Sequence, residues 1–128
     1  MLVWNKPKTG LNTQFVQALE DVIGPLLDAF YVTQAFRTYT DQAAKYEKYL
    51  AGGPKAAPPG FSPHEYGLAV DVALDEDAVR TGLQPNWDLK DDRWKNLIFV
   101  VQRSALLHSG VGFGDGDHIE MVNWKAYK

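Results

Sequence analysis

Apolar residues recur at helical spacing between Asn12 and Phe30, where Phe15, Val16, Leu19, Val22, Ile23, Leu26, Leu27 and Phe30 fall on one stripe. The stripe predicts an amphipathic helix capped by Asn12 or Thr13. Gly24-Pro25 should kink or divide it, because proline removes a helical donor and its ring collides with the preceding turn. Tyr31 to Phe36 reads as a strand. Thr40-Asp41 predicts the cap of a second helix that runs to about Leu50 and stops at Gly52-Gly53. Gly52 to Pro63 is rich in Gly, Pro and Ala and predicts a loop.

From Gly67 to Leu74 the period changes to two. Leu68, Val70, Val72 and Leu74 point to one face, and Ala69, Asp71 and Ala73 to the other. The first face can pack on helices. The second is nearly bare, which leaves room for a ligand beside Asp71. Residues 75–90 are polar and interrupted by Gly82 and Pro85, predicting an excursion or short helix. Asp91 or Asp92 caps a last helix with Trp94, Leu97, Ile98, Val101 and Ala105 on one face, closing near Gly110. His118 to Val122 reads as a short strand. The pattern predicts one α+β domain over residues 1–128, with helices on one side of a small, mainly antiparallel sheet.

Composition narrows the chemistry. A chain of 128 residues can bury a core without disulfides, and 45% apolar with 23% charged residues is ordinary for a globular protein. A net charge of -3 argues against a nucleic-acid partner, which requires concentrated Lys and Arg. The absence of cysteine excludes thiolate ligands and a Cys nucleophile, leaving His and carboxylates for any metal. No stretch approaches the roughly 20 apolar residues that span a bilayer. Met1 to Lys8 lacks the basic and apolar regions of a secretory signal, so the expectation is synthesis in the cytoplasm and release by another agent.

Two segments bring together residues with catalytic chemistry. His64 and Asp71 are seven positions apart, a distance of about 10 Å along a helix or about 23 Å along a strand. They can share a metal only if the chain turns between them, most easily at Gly67; otherwise they are a surface His and a strand-end Asp. The second segment, Gly112-Phe113-Gly114-Asp115-Gly116-Asp117-His118-Ile119-Glu120, sets an acid three residues before a His. A four-residue turn brings its ends within about 7 Å, which would hold Asp115 beside His118. Glu120 shares a strand face with His118 and is placed to support a ligand or contact a substrate amine. The plain reading of this segment is a glycine-rich hairpin with solvated acids.

Ser62-Pro63-His64-Glu65-Tyr66-Gly67-Leu68-Ala69-Val70-Asp71 closely resembles the Ser-x-His-x-x-Gly-x-Ala-x-Asp signature of the zinc D-alanyl-D-alanine carboxypeptidase and VanY-like family, which includes phage endolysins. Asp115-Gly116-Asp117-His118-Ile119-Glu120 resembles its second signature, and Phe36-Arg37-Thr38-Tyr39 with Gln42 resembles its upstream Tyr-Arg-Ser/Thr segment. The resemblance implies an α+β fold shared with the Hedgehog signalling domain. It also implies one zinc ion held by His64, Asp71 and His118, with Asp115 as catalytic base and Arg37 binding a substrate carboxylate. Asp117 is a rival for the base, and Ser62, Glu120 and Gln42 are further residues of the cleft. One departure is the short approach through Gly112-Phe113-Gly114, where many relatives have a longer, Trp-containing segment.

The function so implied is hydrolysis of peptidoglycan stem peptides by a monomeric phage endolysin or virion-associated lysin of the L-Ala-D-Glu endopeptidase type. It would act at the cell wall after holin-type release or from a virion. The alternatives are a bacterial D,D- or L,D-carboxypeptidase or dipeptidase and, in another class, a zinc-stabilised virion or binding module without turnover. His108 reads as a cap on the last helix. The four tryptophans read as packing residues, with Trp87 and Trp124 as possible cleft walls.

Overall fold

The computed structural model describes residues 1–76 and 83–127. Within them the elements are β1 (Leu2–Val3), α1 (Thr13–Ile23), β2 (Phe30–Gln34), α2 (Tyr39–Leu50), β3 (Ala69–Asp75), β4 (Pro85–Asn86), α3 (Asp92–Gln102), β5 (Leu107–Ser109) and β6 (His118–Met121). Three short 3₁₀ turns, Pro63–Tyr66, Gly110–Phe113 and Trp124–Tyr127, complete the described chain. The architecture is α+β, as the alternation of periods predicts.

α1 begins where Asn12 accepts a hydrogen bond from the Phe15 N–H at 3.0 Å, and its last turn closes with Gly24 N–H on Glu20 O at 3.0 Å. Pro25 cannot continue the ladder, so the apolar stripe splits: Phe15, Ala18, Leu19 and Ile23 pack from the helix, while Phe30 packs from β2. α3 starts at Asp91, which accepts from Arg93 N–H at 2.9 Å. It ends at Gln102, short of the predicted closure near Gly110, and Ala105 lies beyond it. The chain turns at Ser104, whose hydroxyl accepts from Leu106 and Leu107 N–H, and then enters β5. α2 is capped by Thr38 rather than Thr40 or Asp41; the Thr38 hydroxyl accepts from Asp41 N–H at 3.1 Å. Gly82 of the predicted excursion lies outside the described residues, and Pro85 pairs with Asp75 in β4.

The strands form one sheet in the order β1-β2-β3-β6-β5, with β4 also paired to β3. β1 and β2 run parallel and every other pair is antiparallel. One face carries Leu68, Val70, Val72 and Leu74 into a core with Trp94, Leu97 and Val101 of α3 and the buried stripe of α1. Trp94 meets Phe30 edge-on at 5.3 Å and donates its indole N–H to Asn86 O at 2.7 Å. α1 and α3 cover this face. α2 does not join them: Gln42 is its one buried residue, and it borders a cleft on the opposite face. That position corrects the expectation of helices on one side of the sheet.

Register decides what the opposite face holds. Asp71 pairs directly with His118 across β3 and β6, Ala69 with Glu120, and Glu120 in turn with His108 of β5. Side chains alternate along each strand, so Asp71, His118, Glu120 and His108 share the face away from the core. Between Val32 and Gln34 the register shifts, leaving Thr33 as the extra residue in β2, and its hydroxyl donates to Asp71 O at 3.2 Å.

Candidate metal centre and its cleft

His64 reaches the sheet from the 3₁₀ turn Pro63–Tyr66. Ser62 caps that turn by accepting the His64 N–H at 3.3 Å, while the Glu65 carboxylate accepts from Ser62 N–H at 3.1 Å and from Gly60 N–H at 2.9 Å. Glu65 is a supporting residue that the sequence reading passed over, although its Ser-x-x-Glu spacing is the mark of a capping box. Gly67 ends the turn at φ 68°, and a Cβ there would lie 2.1 Å from Gly10 O. The predicted bend is therefore real, and it requires glycine both for its left-handed backbone and for the close approach. Arg37 N–H donates to His64 O at 3.1 Å and ties the upstream segment to the same turn.

His64 Nε2, Asp71 Oδ1 and His118 Nδ1 converge, and one ligand atom from each lies within 4.8 Å of the others. His64 Nε2 is 3.5 Å and His118 Nδ1 3.1 Å from Asp71 Oδ1. The outer nitrogens are committed. His64 Nδ1 lies 2.9 Å from Ala35 O, a carbonyl that can only accept, so Nδ1 carries the proton and Nε2 presents a lone pair. His118 Nε2 lies 2.8 Å from Glu120 Oε1 and likewise donates, leaving Nδ1 as an acceptor in the neutral ring. With both rings neutral, three acceptors thus face one another in a largely buried place, which is repulsive unless a proton or another cation lies among them.

A metal ion fits that requirement. Tetrahedral ligands about 2.0–2.1 Å from zinc stand about 3.3 Å apart, close to the separations found. Two imidazoles fixed through their far nitrogens, with one carboxylate, form a donor set suited to such an ion, and Glu120 supplies outer support. Without an ion, a proton on His118 supplies positive charge at the same place. Burial disfavours the Asp71 carboxylate, but hydrogen bonds to His118 and His64 and their charge outweigh it and hold its pKa well below the usual range. Burial also opposes charge on His118, yet the bonds to Asp71 and Glu120 prevail and push its pKa up to about 9.

The same residues line a cleft of about 550 Å³, together with Asp115, Arg37, Gln42 and Ser62. Asp115 is exposed and is placed by its backbone: Asp115 N–H donates to Gly110 O at 2.8 Å and His118 N–H to Asp115 O at 3.1 Å. Gly110 permits this packing, since a Cβ there would lie 2.2 Å from Asp115 O. The Asp117 carboxyl hydrogen-bonds that of Asp115; burial, that bond and the nearby Asp71 and Asp115 charges raise the Asp117 pKa to about 7. Asp117 is not among the residues lining the cleft, whereas Asp115 is. Arg37 Nη1 donates to Gln42 Oε1 at 2.7 Å, and Gln42 Nε2 donates to Ala57 O at 2.8 Å. Burial lowers the Arg37 pKa, with Asp71, Glu65 and Asp41 opposing the shift.

Several expectations need correction. His108 is not a helix cap; it stands in β5 with Nδ1 3.8 Å from Glu120 Oε2. Neither Trp87 nor Trp124 lines the cleft: Trp87 is exposed, and Trp124 is buried with its ring 6.0 Å from Tyr66. Lys45, Lys48 and Lys55 also border the cleft, and nothing in the sequence patterns had singled them out.

No protein-family model and no curated protein sequence matches the chain. Among solved structures it is similar to the Serratia marcescens L-Ala D-Glu endopeptidase ChiX, with TM-score 0.67 and 20% identity, covering 94% of this chain and 86% of that one. It is also similar to VanYB in complex with D-alanine-D-alanine, with TM-score 0.58 and 17% identity over 91% of this chain and 74% of that one. The chain has their fold. The VanY-like resemblance carried by residues 62–71 and 115–120 is therefore matched by the fold that presents them. Among the described residues no helix is long and apolar enough to cross a membrane.

Proposed function

We propose that this protein is a zinc peptidase that hydrolyses peptidoglycan stem peptides, of the L-Ala-D-Glu endopeptidase type. The phage endolysin or virion-associated lysin role goes with that reading, as does kinship with the Hedgehog domain. The observation that carries the proposal is the convergence of three lone pairs, from His64, Asp71 and His118, in the cleft that Asp115 and Arg37 also line. The higher structural similarity to the endopeptidase supports this bond over others. A D,D-carboxypeptidase is the second reading, favoured by the likeness to VanYB and by a guanidinium suited to a terminal carboxylate.

His64, Asp71 and His118 would hold the ion, and zinc there supplies Lewis-acid polarisation of a carbonyl and lowers the pKa of water to about 7. Arg37, fixed by Gln42, presents the rest of its planar fork to a substrate carboxylate and so sets the register of the peptide in the cleft. Asp115 accepts a proton from the attacking water as the new C–O bond forms. It returns that proton to the amine as the C–N bond breaks. Glu120 and the Ala35 carbonyl keep the two imidazoles in the tautomers the site needs.

The test is digestion of purified peptidoglycan by the wild type and by Asp115→Ala, with new termini identified by mass spectrometry. New glutamate amino groups mark an endopeptidase, and released D-Ala marks a carboxypeptidase. Asp115→Ala should keep zinc and fold while turnover falls about 10²–10⁴-fold. Undiminished turnover in that variant rules out Asp115 as the base. A zinc-loaded wild type without turnover on any wall peptide makes the protein a binding module.

A further inference from the structure

The cleft has a second wall that neither the metal donors nor Asp115 uses. Gln42, Lys45 and Lys48 recur every three residues along α2, so they share one helical face, and both lysines line the cleft. After the helix the chain folds back: Gly53 N–H donates to Lys48 O at 2.8 Å, and Ala57 O accepts from Gln42 at 2.8 Å. That return brings Lys55 to the same cleft. Among the described residues no carboxylate forms an ion pair with Lys45, Lys48 or Lys55. In a chain of net charge -3, these three lysines and Arg37 concentrate positive charge along one groove.

One carboxylate cannot satisfy this wall. Arg37 is anchored at Gln42, and Lys48 lies six residues further along the helix, a rise of about 9 Å. An extended peptide advances about 3.3 Å per residue, so the far end of the wall faces a position two or three residues beyond the group held by Arg37. We infer that Lys45, Lys48 and Lys55 form a subsite for a second anionic group of the substrate, separate from the carboxylate taken by Arg37. The ligand class is a peptide with carboxylates about 9 Å apart. The inference rests on the peptidase reading above. The wall's continuity with the metal centre in one cleft favours a part of the cleaved peptide over an independent polyanion.

The test uses a synthetic stem tetrapeptide with its L-Ala-D-Glu amide replaced by a methylene-amine, and analogues in which each carboxyl in turn is a carboxamide. Binding is measured by calorimetry to the wild type, to Arg37→Gln, and to the triple variant Lys45→Gln, Lys48→Gln, Lys55→Gln. Each exposed lysine should contribute about 2- to 5-fold. Amidation at one carboxyl should therefore weaken wild-type binding about tenfold, and less than twofold in the triple variant, while Arg37→Gln still feels it. The wild-type penalty should shrink as salt rises from about 50 to 500 mM. Equal penalties in wild type and triple variant overturn the subsite. So does a triple variant that loses affinity for an anionic wall polymer while its peptide penalties persist. Failure of the peptidase reading shows separately, as a wild type that leaves the unmodified tetrapeptide uncut; the subsite is still decided by the binding differences.

Discussion

Glu120→Gln isolates the contribution of one negative charge to the proposed metal centre. Glu120 Oε1 stands 2.8 Å from His118 Nε2, with the carboxylate largely shielded from solvent. Glutamine keeps the volume, and its amide oxygen can accept the same N–H, so the strand pairing and the imidazole orientation should persist. What changes is the charge. A hydrogen bond to a charged group contributes about 1.5–3 kcal/mol, against about 0.5–1.5 for a neutral one. The difference of about 1–1.5 kcal/mol corresponds to a loss of about 5- to 13-fold in zinc affinity. Glu120→Ala also releases the ring and should cost about 10- to 100-fold, the range for outer partners of ligand histidines. The assay is competition with a chromogenic chelator at pH 7.5, with circular dichroism to verify the fold. If both variants hold zinc within twofold of the wild type, Glu120 does not tune His118, and the assignment of Nδ1 as the donor atom loses its basis.

Two other perturbations follow from the same geometry. Gly67→Ala must adopt φ 68° at about 1–2 kcal/mol and also displace Gly10 O from 2.1 Å. It should therefore lower stability by about 3 kcal/mol in urea denaturation and reduce zinc affinity through His64; a loss below 1 kcal/mol contradicts the close approach. In chelator-treated protein, His118 near 9 is raised above its ordinary 6.5, so its stabilisation is complete below about pH 6.5 and is lost as pH rises through about 9. Asp71 is depressed below 3.8, so its contribution is present above that pH and is lost on acidification. Thermal melting with chelator should thus peak between about pH 4 and 6.5. With zinc the optimum should move upward, because protons compete for the ligands, and coincident profiles would refute the linkage.

The central strands β2, β3 and β6 and the core helices were legible from their apolar patterning: β3 alternates over its whole length, and α1 and α3 each carry a buried stripe. β1, β4 and β5 were not, since strands of two or three residues are too short to show alternation; Leu107-His108-Ser109 is a strand through its pairing with β6. His108 was consequently misread as a helix end. The start of α2 was ambiguous because Thr38, Thr40 and Asp41 can all cap, and the choice depends on how the chain leaves Arg37. The bend at Gly67 followed from distance once His64 and Asp71 were taken to share a metal, whereas the commitment of His64 Nδ1 to Ala35 O comes from a residue 29 positions away, which no local pattern encodes. The lysines of α2 illustrate the same limit. Their spacing permits one shared face, but only the return of residues 53–57 turns that face into a wall.

The direct pairing of Asp71 with His118 across β3 and β6 has a consequence for how this centre comes into being. A slip of one residue would send one of the two side chains into the core, and a slip of two would part them by about 7 Å. No intermediate alignment leaves a weaker version of the site, so assembly is all or nothing. An ion that needs both donors would reward only the native alignment, acting during folding as a proofreader of strand pairing.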